Sequence, residues 1–159
     1  FKEHGKGYEV NSGKILRIDS ELIHVEVVKP AIGFLNRPEY AGPREEFFGA
    51  YEHYRHGNLK EALNDALKAF ESTMKVLCKH NSIQYKETDT ASTLLKSLLQ
   101  NSQLDSYWEQ PLILIATLRN RLSSSHGAGT QLKNVPPHVA AYAVNATAAA
   151  MVFLAGEFS

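Results

Sequence analysis

The stretch NLKEALNDALKAFESTMKVLC, residues 58–78, constrains the fold more than any other part of the chain. Leu59, Ala62, Leu63, Ala66, Leu67, Phe70, Met74 and Leu77 recur every three or four positions, the period that gathers apolar side chains on one face of a helix. Glu61 stands three residues after Asn58, a capping-box spacing that predicts the helix start at that point. A long helix with one apolar face has to bury that face, and the rest of the chain offers mostly further helices to bury it against.

Asp19 and Ser20 are N-cap candidates for a helix over about 20–35, where Pro30 predicts a kink or a break. PREEFFGAYEHYRH predicts a helix over 43–56 that stops at Gly57. A polar link at 79–89 leads to a shorter helix over about 90–101 carrying Leu94, Leu95, Leu98 and Leu99. The next helix is expected over about 105–125, with Pro111 near its start and the apolar run Leu112 to Leu118 after it. Pro136-Pro137 opens a last helix to about Phe158, Pro137 suiting the first helical position. Its alanines, Ala140, Ala141, Ala143, Ala146, Ala148, Ala149 and Ala150, would let neighbouring helices approach closely.

In KGYEVNSGKILRI, residues 6–18, two β-type runs flank Asn11-Ser12-Gly13, which predicts a hairpin. The expected fold is therefore an all-α helical bundle with a small N-terminal β-hairpin. Residues 1–42 would hold the hairpin and leading helix and 43–159 the bundle, as one compact unit. AYEHYRHGNLKEALNDALKAFE has tetratricopeptide-like spacing, but no second copy follows at about thirty-four residues, so it reads as an ordinary αα-hairpin.

Seventeen basic and seventeen acidic residues give zero formal charge, so no global field draws this chain to nucleic acid or to an anionic membrane. Any anion site has to be local. The single cysteine, Cys78, has no intrachain partner, which fits a reducing cytoplasm, and its apolar surroundings suit a small buried filler better than a nucleophile. The sequence shows no signal peptide and no membrane-length apolar run. Because the chain opens on Phe1, it is expected to be the C-terminal part of a longer protein.

The local cluster is RNRLSSSHG, residues 119–127. If the helix of Leu112 to Leu118 continues at about 100° per residue, Arg119, Ser123 and His126 fall on one stripe at i, i+4 and i+7, while Arg121 points away. A guanidinium offers a planar fork to phosphate oxygens and a histidine moves a proton near neutral pH, a pair suited to a phosphodiester. The same residues also suit a plain helix ending, with Arg and His against the macrodipole, serines on the last carbonyls and Gly127 at C′.

Arginine followed by a polar residue, with a histidine after four to six intervening residues, is a motif that resembles the HEPN superfamily of small helical bundles. Arg119-Asn120 with six intervening residues to His126 fits it. Arg121 also meets the spacing, but Leu122 follows it. LRNRLSSSHG, AAYAVNATAAAMVFLAGEF and EALNDALKAFESTMKVL together resemble the abortive-infection C-terminal domain of bacterial defence proteins, over roughly residues 45–158. GYEVNSGKILRIDSELIHVEVVKP resembles, more loosely, the segment that often precedes it.

The resemblance implies a metal-independent endoribonuclease of an antiphage or toxin-like system, working without a cofactor in the cytoplasm. Two copies of the motif would meet across a homodimer in one composite cleft. Arg119 and His126 would be catalytic and leave a 2′,3′-cyclic phosphate. Asn120 would orient the phosphate or the histidine, with Ser123, Glu71 and Asn145 supporting. Arg121, Lys133 and His138 would contact RNA. The alternative the family allows is a non-catalytic dimerisation and signalling module serving an upstream domain, an antitoxin or a sensor.

Glu71 and Lys75 stand at i and i+4 and equally suit a surface ion pair, and Asn145 equally suits a core hydrogen bond. His53 and His56 lie three apart but lack a matching carboxylate or thiolate cluster, so a solvated helix end is the better reading than a metal pair. His4, His24 and His80 carry no signal, and Gly127-Ala128-Gly129 lacks the strand-turn-helix setting of a phosphate loop.

Overall fold

The computed structural model describes the backbone of residues 7–11 and 14–18, and residues 27–122 and 134–158, the side chains of Arg119 and Leu122 excepted. Among the described residues the bundle has α1 (Lys29–Leu35), α2 (Ala41–Arg55), α3 (Leu59–His80), α4 (Ala91–Gln100), α5 (Glu109–Leu122) and α6 (Pro137–Phe158). Ahead of it, β1 (Gly7–Asn11) pairs antiparallel with β2 (Lys14–Ile18), Gly7 opposite Ile18 and Asn11 opposite Lys14. The fold class rests on the helices, which make this an all-helical domain.

α3 is the axis of the bundle. Its apolar stripe buries Ala62, Leu63, Ala66, Leu67, Ala69, Phe70, Met74, Leu77 and Cys78 against α2, α4, α5 and α6. Burying one side chain the size of Phe70 contributes about 2–3 kcal/mol. Asn58 is the N-cap, as its spacing to Glu61 suggests, yet its side chain makes no capping hydrogen bond, so the capping box does not form.

The turn between α2 and α3 is tight, and Gly57 makes it possible. At φ +77° it donates its N–H to the Tyr54 carbonyl at 3.1 Å, while Asn58 donates to His53 at 2.9 Å. This is the two-bond Schellman ending, and it requires a left-handed residue at that position. The αα-hairpin read from the sequence is this pair, and α2 and α3 pack along each other.

Residues 27–28 form a π-helical turn that runs straight into α1 at Lys29, with Pro30 in the first α-helical turn, while Asp19, Ser20 and the start expected near residue 20 lie outside the described residues. One helix start moves. A single 3-10 turn at Ser106–Trp108 precedes α5, which starts at Glu109 rather than 105. Pro111 is therefore in the first turn, where its missing N–H would have had no helical partner anyway.

α6 packs along α3 and also meets α1, α2 and α5. Ala140, Ala143, Ala148, Ala150 and Ala155 are buried, as close helix approach requires, with Val144, Met151 and Leu154 filling the larger gaps. The two fully buried polar residues among those described are satisfied, Thr73 donating to Met151 Sδ at 3.2 Å and Thr147 to the Ala143 carbonyl at 2.8 Å, whereas the buried Glu46 Oε2 has no partner among the described residues. The expectation of no membrane-length apolar run needs correcting: α6 has 22 residues and a mean hydropathy of 1.6 in its best window, long and apolar enough to cross a membrane. Half of that window is buried inside the bundle, as in a core helix.

Candidate functional site

Four helix ends meet at one end of the bundle: the C-termini of α2 and α5 and the N-termini of α3 and α6. A small apolar cluster joins them, with Leu63, Val135, Ala140 and Ala143 buried and Tyr54, Leu59, Leu118 and Val139 packed against it. Leu118 immediately precedes Arg119, and Val135 lies two residues beyond Lys133. Both flanks of the motif segment are thus fixed to the same cluster.

Along α5 the inward positions are Leu112, Ile115 and Ala116, which are buried. Position 119 follows them at i+7, i+4 and i+3, so the backbone places Arg119 on the stripe that faces the bundle. Asn120 and Arg121 are exposed. Arg121 has no ion-pair partner among the described residues. The Arg119 side chain, Ser123, His126 and Lys133 lie outside the described residues. His138, exposed in the first turn of α6, is at this same end.

The charged groups around this end pair locally. Arg55 reaches Glu52 at 3.0 Å, and His56 Nδ1 lies 2.8 Å from the Glu52 carbonyl. His53 Nε2 is 3.6 Å from Asp65, whose other oxygen accepts from Lys68 at 3.1 Å. Gly49 makes room for this: a Cβ there would stand 2.8 Å from the Asp65 carboxylate. His53 and His56 thus serve surface contacts, and among the described residues no group of three or more His, Cys, Asp or Glu side chains could hold a metal ion.

The supporting candidates separate. Asn145 on α6 accepts a hydrogen bond from the Tyr51 hydroxyl on α2 at 3.2 Å, so this polar exception finds a partner across the helix interface. Glu71 does not pair with Lys75. Its Oε1 accepts the Ala91 N–H at 3.2 Å and helps Thr90 cap α4, while Lys75 bonds the Glu87 carbonyl at 2.7 Å and its carboxylate at 3.3 Å. Lys75 therefore ties α3 to the link before α4, and the i, i+4 ion pair that helical spacing allowed does not form. Whether Glu71 also meets Arg119 lies outside the described residues.

Cys78 is fully buried, and burial, reinforced by the negative charge of Asp89, pushes its thiol up to about 11. That environment holds the thiol protonated and makes it a filler rather than a nucleophile.

Sequence reasoning missed Tyr51 and Tyr54. Both lie on α2, one under Asn145 and the other bridging the main core and the small cluster. The available signal was the aromatic spacing Phe47, Tyr51, Tyr54, which marks one helix face but does not say which polar group the hydroxyl will find.

The helices and their end-on convergence define a small helical-bundle domain with a motif segment carried between its last two helices. The family model of the HEPN-like domain Abi_C matches residues 41–158, and the chain belongs to that family. No curated protein and no solved structure matches the chain.

Proposed function

We propose that the chain is a metal-independent endoribonuclease of the HEPN type, working in an antiphage or toxin-like defence system in the bacterial cytoplasm. Its active unit is a homodimer in which two motif segments share one cleft. The observation that carries this reading is that Leu118 and Val135, which flank Arg119 and His126 in sequence, pack at one cluster.

In this reading His126 takes the proton from the RNA 2′-hydroxyl as the 2′-oxygen attacks phosphorus. The bond to the 5′-oxygen breaks, that oxygen leaves with a proton, and a 2′,3′-cyclic phosphate remains. Arg119 meets the negative charge that grows on the phosphoryl oxygens. Asn120 and Ser123 orient the phosphate, and Arg121, Lys133 and His138 hold flanking RNA. The apolar groove between α5 and α6, lined by Leu114, Leu118, Tyr142, Ala146, Ala149 and Phe153, starts at the motif end. We place the second copy there because it brings the two motifs together. Residues 1–42 belong to the same unit in this reading, and an upstream domain, antitoxin or sensor partner controls it.

One observation favours a second reading, a non-catalytic dimerisation and signalling module. The chain has zero formal charge, and Arg55 and Lys68 at the motif end are already paired with carboxylates. The two readings part in one experiment: purified protein, a panel of RNAs, excess chelator, and the variants His126→Ala and Arg119→Ala alongside. Cleavage that disappears in both variants supports the ribonuclease. Cleavage that survives both sinks the assignment, and no cleavage of any RNA by the parent favours the module.

A further inference from the structure

We draw no further inference here: the strongest candidate, the cavity between the end of α4 and the start of α5 lined by Lys96, Gln100, Ser106 and Glu109, has its two charged groups already facing each other at 3.7 Å, and nothing in the structure shows what would fill it.

Discussion

Leu118 and Val135 pack against the same buried side chain cluster around Leu63, although the whole Arg119 to His126 segment lies between them in sequence. The core of this end of the bundle and the flanks of the proposed catalytic segment therefore share their supports. Loosening one should loosen the other.

Leu63→Ala is expected to destabilise the fold by about 2–4 kcal/mol, the cost of a leucine cavity in a packed core. Leu94→Ala, an equally buried leucine in the main core, is expected to cost a similar amount. Urea midpoints measure both. Of the two, only Leu63→Ala should also lower RNA cleavage at temperatures where the folded fraction is unchanged; equal losses would show that the cluster does not hold the site.

Glu71→Ala removes the carboxylate that accepts the Ala91 N–H at the start of α4, and is expected to cost about 1 kcal/mol. Glu71→Gln keeps an acceptor and should recover most of that. If Glu71 only caps α4, cleavage is unaffected at full folding. A large loss of cleavage in Glu71→Gln with an unchanged thermal midpoint would instead place the carboxylate on Arg119.

Stability should fall in alkali through Cys78. Its thiol is raised from 9.0 to about 11 in the folded protein, so below pH 9 both states hold the proton and the full contribution is present. Between pH 9 and 11 the unfolded chain releases the proton while the folded chain keeps it, and stability drops. The urea midpoint is expected to decline over that range, and less so in Cys78→Ala. The thiol should also react with an alkylating reagent at pH 8 only as fast as the protein opens.

Much of this was legible from residues alone because the bundle advertises its period. The stripe from Leu59 to Leu77 places α3, Gly57 places the turn, and Pro136-Pro137 places the start of α6. The helix start at Pro111 was harder, since a proline at the first turn and one in the middle give opposite answers and Pro111 belongs to the first kind. Side-chain partners were the least legible. Spacing allowed Glu71 to pair with Lys75, but the link before α4 brought Ala91 and Glu87 closer to them. Tyr51 meeting Asn145 joins residues 94 apart, a relation no local pattern carries. The Arg119, Asn120 and His126 spacing stood out through family likeness rather than through helix geometry.

Ala149 is exposed in the α5–α6 groove, and Ala149→Glu is expected to keep the fold and the thermal midpoint while turning a dimer into a monomer in light scattering. On the composite-cleft reading cleavage disappears with it. A monomeric variant that cleaves as well as the parent would place the whole site within one chain.

The cluster of Leu63, Leu118 and Val135 also bears on timing. Val135 and the alanines of α6 leave the ribosome well after α5 is complete, so a growing chain carries the arginine before it has anything to close against. Only when α6 docks along α3 can both ends of that segment be held at once. On the ribonuclease reading, a domain built in this order completes its structural core and its proposed reactive centre in a single late step, so a half-made copy would spare the RNA that encodes it.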